Sequence, residues 1–331
     1  MIDTVDLEVG VGMVVIGRNE GNRLRTCLIS MVGRAGPVVY VDSGSTDGSV
    51  AMARGLGAEV VELELATPFT AARARNAGFR RLLEISPGLA CVQFVDGDCE
   101  VVDGWLESAT NFLQEHAQVA VVCGRRRERY PGRSIYNLLC DLEWDSPLGE
   151  TKACGGDALM RIPAFAAARG YRDDLIAGEE PELCVRLRAA GWKIWRLGEE
   201  MTLHDAAMSH LGQWWKRSMR AGYAFAEGAS LHGAPPERHW VRESRSAWLW
   251  GAVFPLLALV AATVWGTPGL LLLLVYPLQV VRLALRGERS TRKNWWRALF
   301  LVLCKFPEMQ GQAKFVLHRL LGGRARLIEY K

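Results

Sequence analysis

A long uncharged run near the C-terminus constrains the fold more than any other feature of this sequence. Residues 246–281 are 36 residues without a single charge. A membrane-spanning helix needs about 17–25 apolar residues, so the run is long enough for two short helices with a break at Gly266-Thr267-Pro268. Basic residues flank both of its ends, and they favour the cytoplasmic side of a membrane. We therefore predict a transmembrane hairpin over 246–282 with both ends in the cytoplasm; a buried hairpin of a soluble protein is the alternative.

The charge of the chain is unevenly distributed. The net charge is +4, but residues 282–331 carry 12 Lys and Arg against 3 Asp and Glu, which is +9 and leaves −5 for the rest. A basic tail beside a membrane hairpin favours an anionic lipid surface over nucleic acid as its partner. We predict interfacial amphipathic helices over 283–331 at the inner (plasma) membrane; a solvated or partner-binding tail is the alternative.

The compartment of the remaining chain follows from its start and from its cysteines. Residues 1–8 are acidic and do not resemble a signal peptide. The eight cysteines are scattered and form no C-x-x-C pair. We interpret them as reduced, buried side chains of a cytoplasmic domain rather than as disulfides or zinc ligands.

The first 100 residues alternate between two hydrophobic periods. The runs "VGMVVIG", "PVVYVD", "AEVVEL" and "ACVQFVD" indicate buried strands, and the segments between them have helical spacing. This alternation predicts an α/β, Rossmann-like domain with a mainly parallel sheet. Ligands bind such sheets at the carboxyl ends of their strands. Two Asp-rich turns follow strands, so we expect them to face one cleft.

The second of these turns places two carboxylates one residue apart, at Asp96 and Asp98. Two charges this close favour a bound cation, and Mg²⁺ and Mn²⁺ take carboxylate and phosphate oxygens. A solvated β-turn is the alternative. An EF-hand loop does not fit, because its required glycine is replaced by Val101.

Six motifs occur in one order over residues 14–192: "VVIGRNEG", "VVYVDSGSTDGS", "ARARNAGF", "FVDGDCE", "CGGDALMRIPAF" and "GEEPELCVRLRAAGW". In this set the sequence resembles the family 2 glycosyltransferases of the GT-A fold. The resemblance implies a catalytic domain over 1–240. It also implies metal-dependent, inverting transfer of a sugar (a hexosyltransferase-type reaction) from a nucleotide-sugar donor to an acceptor hydroxyl.

The resemblance also implies roles on the donor side. The residues that match the family's donor-binding positions are Asn19, Glu20, Asp42, Arg75 and Asp96. The first three would hold the base and ribose, and Arg75 would face the diphosphate. For Asp42 a turn cap is the alternative. The D-x-D motif, Asp96 and Asp98, would chelate Mn²⁺ or Mg²⁺.

Three further positions match family positions. His204 matches a further metal ligand found in some GT-A enzymes, although a lone histidine is often structural. Gly155, Gly156 and Asp157 match a turn on the acceptor side, where glycine lets the backbone approach a ligand; an ordinary turn is the alternative.

The catalytic base is expected in the pair Glu179-Glu180. Glu180 matches the family's base, although Asp is more usual there, and Glu179 is the competitor. Both carboxylates could instead simply favour a helix N-terminus.

The acceptor is the least constrained part of the prediction. "QWWKRSMR" lacks the Gln-x-x-Arg-Trp pattern of the family's processive synthases, which favours transfer of a single sugar. The membrane hairpin suggests a lipid-linked saccharide in envelope or exopolysaccharide synthesis. A nucleotidyltransferase and a catalytically degenerate membrane assembly subunit are the alternative functions.

Overall fold

The computed structural model describes residues 10–33, 36–286 and 291–322. The chain divides into two compact units. The first comprises 1–129, 144–175 and 179–206, and the second comprises 130–143, 176–178 and 207–331. The predicted acidic start and the last part of the predicted basic tail, residues 323–331, lie outside the described residues. The predicted limits at 240 and 282 stay a prediction.

The first unit contains one nine-stranded sheet. Its strands are β1 (Val11–Gly17), β2 (Val38–Asp42), β3 (Glu59–Glu62), β4 (Cys91–Asp96), β5 (Cys99–Val101), β6 (Val119–Glu128), β7 (Gly149–Glu150), β8 (Ala158–Arg161) and β9 (Lys193–His204). Their spatial order is β3-β2-β1-β4-β8-β6-β9-β5, with β7 paired to β9. The strands β3, β2, β1 and β4 run parallel to one another, as predicted. β8, β5 and β7 run antiparallel to their neighbours, so the sheet is mixed rather than mainly parallel.

Thirteen α-helices are described. They are α1 (Asn22–Ile29), α2 (Ser49–Gly55), α3 (Ala71–Ile85), α4 (Trp105–Glu115), α5 (Ile135–Glu143), α6 (Ile162–Ala167), α7 (Glu179–Ala189), α8 (Leu211–His232), α9 (Val241–Trp248), α10 (Phe254–Trp265), α11 (Val275–Arg286), α12 (Arg292–Leu303) and α13 (Lys305–Leu320). A π-helical segment, Leu249–Val253, joins α9 to α10, and a 3₁₀ segment, Thr267–Leu274, precedes α11.

The core of the first unit explains why the sequence of β1 is one continuous apolar run. Met13, Val14 and Val15 are fully buried although their side chains alternate between the two faces, so both faces of the sheet are covered. One cover is α3, which approaches closely at Gly78. A Cβ atom there would lie 2.4 Å from Val14 Cγ1.

The sheet register brings the two Asp-rich turns to one edge. The end of β1 lies between β2 and β4, with Gly17 opposite Asp42 and Ile16 opposite Asp96. Carboxyl ends of parallel strands form the ligand-binding edge of such sheets. The first unit therefore presents both turns at the edge where a ligand is expected.

The second unit is helical. α8 and α13 pack closely because glycines replace side chains at their crossing: a Cβ atom at Gly222 would lie 2.0 Å from the Glu308 carbonyl oxygen. Two continuous helical segments, Val241–Trp265 and Thr267–Arg286, are 25 and 20 residues long. They are separated at Gly266, whose φ of 69° is a left-handed conformation that favours glycine. By length and composition both are long and apolar enough to cross a membrane.

Candidate active site

The Asp96 carboxylate lies between two guanidinium groups. Arg75 Nη2 donates to its Oδ1 at 2.6 Å, and Arg126 Nη2 donates to its Oδ2 at 3.0 Å. Burial alone would raise the pKa of Asp96, but the two cations outweigh it and hold that pKa well below its ordinary value. Asp96 is therefore ionised, and both of its oxygens are engaged.

Arg75 also connects the end of β4 to the start of α7. Its side chain is buried, and Nη1 donates to Glu179 Oε1 at 2.5 Å. The neighbouring backbone at Gly156 has room only for glycine, because a Cβ atom would lie 2.7 Å from Arg75 Nη2 and 3.0 Å from Asp96 Oδ2. Gly156, predicted on the acceptor side, therefore packs directly on the Arg75–Asp96 ion pair.

Asp157 is a buried anchor within this network. Its Oδ1 accepts the Asp96 backbone N–H at 2.9 Å. Its Oδ2 accepts from Arg126 Nε at 2.9 Å and from the Thr202 hydroxyl at 2.8 Å. Because the side chain is fully buried, the structure shows Asp157 holding Arg126 and the β4 turn. The acceptor-side role predicted for it stays a prediction.

Arg126 is a site residue that sequence reasoning missed. It lies near the end of β6, in "CGRRRERY", and its guanidinium stands over the Trp144 ring at 5.3 Å. Arg125 and Arg127 pair instead with Asp145 and Glu200. The basic run was the available signal, but it did not indicate which of three consecutive arginines faces the site.

A second cluster lies beside the first and has the donor set of a metal site. The Asp98 carboxylate, the Cys99 thiol and the His204 imidazole offer atoms that all lie within 4.8 Å of one another, and all three residues are buried. Asp98 Oδ2 is 3.3 Å from His204 Nε2. The other ring nitrogen, Nδ1, lies 3.5 Å from Glu128 Oε2. A carboxylate behind the ring is the usual way to orient a histidine that ligates a metal.

This donor set fits a divalent transition metal. Burial lowers the pKa of His204, so its ring is neutral at pH 7, which is the form that binds metals. Carboxylates suit Mn²⁺ and Mg²⁺, and a neutral imidazole is a common nitrogen ligand of divalent metals. The structure thus brings Asp98 and His204 together as predicted. It places the Asp96 carboxylate on the two arginines instead.

The predicted base-binding residues join the turns after β1 and β2. Asn19, with a left-handed φ of 54°, donates its backbone N–H to Ser45 Oγ at 2.9 Å. Its side-chain Oδ1 accepts the Thr46 N–H at 2.7 Å. Glu20 pairs with Arg23 at 2.7 Å. Both predicted residues therefore lie at the expected edge, and Asn19 ties the two turns together.

Asp42 has the contacts of a turn cap. Its Oδ1 accepts from the Tyr40 hydroxyl at 2.8 Å, and its Oδ2 accepts the N–H groups of Gly44 and Ser45 at 2.9 and 2.8 Å. The side chain is buried. These contacts are those of the alternative interpretation, and a role toward a nucleotide stays a prediction.

The adjacent glutamates at the start of α7 face different partners. Glu180 is only 2% exposed. Its Oε1 accepts from the Cys154 N–H and the Cys184 thiol, both at 2.8 Å, and its Oε2 accepts the Gly155 N–H at 2.9 Å. Burial raises the pKa of Glu180 above its ordinary value. Glu179 is instead committed to Arg75.

The comparison of this chain with known families finds a match over part of the chain. The sequence model described as Glycosyl transferase family 2 matches residues 13–170. Residues 13–170 form a family 2 glycosyl transferase domain. The predicted class of enzyme, a family 2 glycosyltransferase, is thereby confirmed. A search of curated proteins finds no match.

One similar solved structure supports the fold. A mannosyltransferase, PcManGT from Pyrobaculum calidifontis in complex with GDP-Man and Mn²⁺, is 20% identical and covers 92% of this chain and 86% of its own, with a TM-score of 0.63. This likeness confirms the predicted GT-A fold. TarS 1-349 of S. aureus is 15% identical at a TM-score of 0.49, covering 95% and 92% of the two chains. Glucosyl-3-phosphoglycerate synthase of Mycobacterium tuberculosis, in complex with phosphoglyceric acid, is 18% identical at 0.48, covering 69% and 81%.

Proposed function

We propose that this glycosyltransferase moves a single sugar from a nucleotide-sugar donor to an acceptor hydroxyl with the help of Mn²⁺ or Mg²⁺. The observation that carries the proposal is the edge of the sheet where Arg75 pairs with Asp96 and where Asp98, two residues on, faces His204. It combines a buried cation for a diphosphate with a donor set for a metal. PcManGT, of the same fold, was solved with GDP-Man and Mn²⁺, which supports this type of donor.

The donor's diphosphate would bind at Arg75. A guanidinium forms strong, charge-assisted hydrogen bonds with phosphate oxygens, and this one is already held in place by Asp96 and Glu179. Asp98 and His204 would hold the metal. When bound, the metal supplies positive charge that stabilises the departing diphosphate.

The acceptor would bind at the 154–156 turn, where Glu180 lies. Glu180 takes the proton of the acceptor hydroxyl as general base, since a raised pKa brings a carboxyl closer to neutral pH, where a base works best. The acceptor oxygen then forms a bond to the anomeric carbon while the bond to the diphosphate breaks. One displacement of this kind inverts the configuration at that carbon.

We infer an integral protein of the inner membrane with its catalytic unit in the cytoplasm. The two apolar helical segments support insertion into a membrane, and the basic residues that flank them support the orientation. Many apolar side chains of these segments are exposed, among them Leu256, Leu259, Val264 and Leu271. Exposed apolar helices of this length are stable in lipid rather than water. A membrane position makes a lipid-linked saccharide the proposed acceptor, as in envelope or exopolysaccharide synthesis.

The experiment uses the full chain purified in detergent with Mn²⁺, a panel of nucleotide sugars and a bacterial lipid extract. Release of nucleoside diphosphate from one donor, dependent on the lipid extract and lost in Asp98→Asn, is the expected result. It would identify the sugar and the acceptor class together.

Other results would reject parts of the proposal. Release only with water-soluble acceptors would exclude the lipid-linked acceptor. Failure to bind any donor with Mn²⁺ would favour the degenerate assembly subunit. Release of inorganic diphosphate from a nucleoside triphosphate would indicate a nucleotidyltransferase.

A further inference from the structure

A buried thiol donates to the carboxylate that is proposed as the general base. Cys184 lies one helical turn after Glu180 in α7, and residues four apart on a helix share one face. Cys184 Sγ lies 2.8 Å from Glu180 Oε1. Cys184 is fully buried and Glu180 is only 2% exposed, so the contact is shielded from water. The proposed transfer uses the carboxylate but gives this thiol no role.

The hydrogen bonds that Glu180 accepts are unequally distributed over its two oxygens. Within the described part of the chain, Oε1 accepts from the Cys154 N–H and the Cys184 thiol, whereas Oε2 accepts the Gly155 N–H alone. An ionised carboxylate has about four acceptor positions, about two on each oxygen. Oε1 is therefore saturated, and the position left for an acceptor hydroxyl lies on Oε2.

Cys184 differs from the other two donors because it donates through its side chain. Cys154 and Gly155 donate through backbone N–H groups, which every residue except proline has. Burial raises the pKa of Glu180, and hydrogen bonds from the three donors to its ionised form act against that rise. The identity of residue 184 therefore decides how many donors hold the carboxylate in its ionised form.

The thiol of Cys184 remains protonated at neutral pH. Burial raises its pKa well above the ordinary value, and the negative charge of Glu180 raises it further. Cys123 of β6 acts in the same direction, and Arg188 of α7 acts in the opposite one. Since an ionised carboxylate can only accept, the thiol is the donor of this hydrogen bond.

The other ionisable groups near Glu180 do not take over this role. Besides burial, the charge of Glu179 raises the pKa of Glu180, and Glu179 is itself paired with Arg75 of α3 at 2.5 Å. The Cys154 thiol and the Tyr171 hydroxyl also lie near, and burial raises both of their pKa values well above the ordinary ones, so both are neutral. Among the described side chains, the thiol one turn along α7 is therefore the donor of this carboxylate.

We propose that Cys184 is a positioning residue for the general base: its thiol occupies Oε1 of Glu180, so that the carboxylate stays ionised and takes the acceptor proton on Oε2. In the transfer step the acceptor O–H bond breaks and its proton goes to Oε2, while the acceptor oxygen bonds to the anomeric carbon and the diphosphate leaves. The Cys184 proton stays on sulfur. The inference rests on the proposed function, because Cys184 acts only through Glu180.

Two readouts on the full chain in detergent test the proposal. One is the pH profile of nucleoside diphosphate release with Mn²⁺, the panel of nucleotide sugars and the lipid extract. The other is an infrared titration of the Glu180 carboxyl band, which is assigned by its absence in Glu180→Gln and does not depend on transfer. Cys184→Ala is expected to move both titrations upward by about 1 pH unit, the lower end for a hydrogen bond to a charged group, since a thiol is a weak donor.

Cys184→Ser separates the hydrogen bond from packing. Alanine and serine both remove the sulfur, but only serine keeps a donor, so the serine variant is expected to titrate close to the wild type. Cys91→Ala, which changes a buried cysteine of β4, is the matched control and leaves both titrations unchanged. Cys184→Val, which fills the space of the sulfur without a donor, replaces Cys184→Ala if thermal denaturation shows that the alanine variant does not fold.

Each contrary outcome has a definite meaning. An infrared titration of Glu180 that is the same in Cys184→Ala and the wild type would overturn the inference, whatever the activity. A serine variant that shifts as far as the alanine variant would assign the effect to packing and would overturn it too. If the infrared titration moves while the activity profile does not, Glu180 is not the base, and the proposed base and the role of Cys184 in transfer are both rejected.

Discussion

The turns after β2 and β4 lie at the same edge of the sheet, and each contains a buried carboxylate. The partners that balance the carboxylate charges differ between the two turns. Asp42 is satisfied within its own turn, by Tyr40 and by backbone N–H groups two and three residues ahead. Asp96 depends on Arg75 and Arg126, which lie 21 and 30 residues away in sequence. Asp98 faces His204, the last residue of β9.

This difference distinguishes a carboxylate with a structural role from carboxylates whose charge-balancing partners a bound ligand can change. A carboxylate held by its own backbone keeps its partners as long as the turn is folded. A carboxylate held by remote cations can lose them to an entering phosphate, or can itself bind an entering metal ion. Glu180 is intermediate, since it accepts backbone N–H groups as Asp42 does, but from a remote loop.

The largest effect is expected for Glu180→Gln, which removes the carboxylate at the start of α7. If Glu180 is the base, transfer falls by about 100- to 10,000-fold, the usual contribution of general base catalysis. The wild-type rate rises with pH through the raised pKa of Glu180, because the base works only when ionised and burial favours its protonated form. The measurement is nucleoside diphosphate release between about pH 4 and about pH 9, which begins near the ordinary pKa of a glutamate and extends above it.

Glu180→Asp is the control because it keeps a titrating carboxylate and hence the acidic limb of the pH profile. If the activity of Glu180→Gln falls only in proportion to its thermal stability, Glu180 is an anchor like Asp42 and not the base.

Arg75→Met tests the dependence on remote cations. It leaves Asp96 and Glu179 without their shared guanidinium, and removing one partner of a buried ion pair costs about 3–5 kcal/mol in free energy of unfolding. We expect the lower end of that range, since the Asp96 side chain is 29% exposed and keeps Arg126. Urea denaturation in detergent measures the loss.

The matched control for Arg75 is Arg54→Met. Its ion pair with Glu62 is 57% and 58% exposed, and such pairs contribute little. Equal losses in the two variants would show that burial of the Arg75 network is unimportant.

Asp98→Asn is expected to weaken Mn²⁺ binding by about 100-fold, the upper range seen even for residues that only support a metal ligand. The free Mn²⁺ signal in electron paramagnetic resonance measures it. Asp42→Asn serves as the control acid, with unchanged Mn²⁺ affinity. An Asp98→Asn protein that binds Mn²⁺ as the wild type does would remove Asp98 from the metal site.

The smallest effect is expected for Asp42→Asn on stability. The carboxamide oxygen still accepts from Gly44 and Ser45, and its NH₂ group turns to the Tyr40 oxygen. One exchanged hydrogen bond costs about 1 kcal/mol, measured by urea denaturation. Tyr40→Phe removes the same contact from the other side and should cost a similar amount. If Asp42→Asn also abolishes nucleotide binding at intact stability, Asp42 contacts the donor.

Local pattern predicted much of the fold and the first acidic turn. The continuous apolar run from Val11 to Gly17 predicted strand β1, and the acidic residues at Glu179 indicated the start of a helix. The antiparallel strand β8 was not predicted, because a segment as short as Ala158–Arg161 has no sequence pattern that indicates the direction of the strand. Strand direction is set by which neighbours close the sheet.

The sequence predicted which residues form the site better than it predicted the contacts between them. Motif order pointed to Arg75, Asp98 and His204, and the structure brings Asp98 and His204 together. Arg126 and Cys99 were missed as site residues because their roles come from register: β6 presents one arginine of three, and β5 pairs Cys99 with a histidine 105 residues later. Spacing along the chain cannot reveal a ligand pair made across strands.

The first turn of α7 carries Glu179 and Glu180 on consecutive residues, which in an α-helix project about 100° apart. The Glu179 carboxylate accepts from Arg75, beside the β4 turn, and the Glu180 carboxylate accepts the backbone N–H groups of the 154–155 loop. A helical turn is stiff, so it acts as a mechanical coupling between these two loops. A displacement of one loop is therefore expected to displace the other through α7.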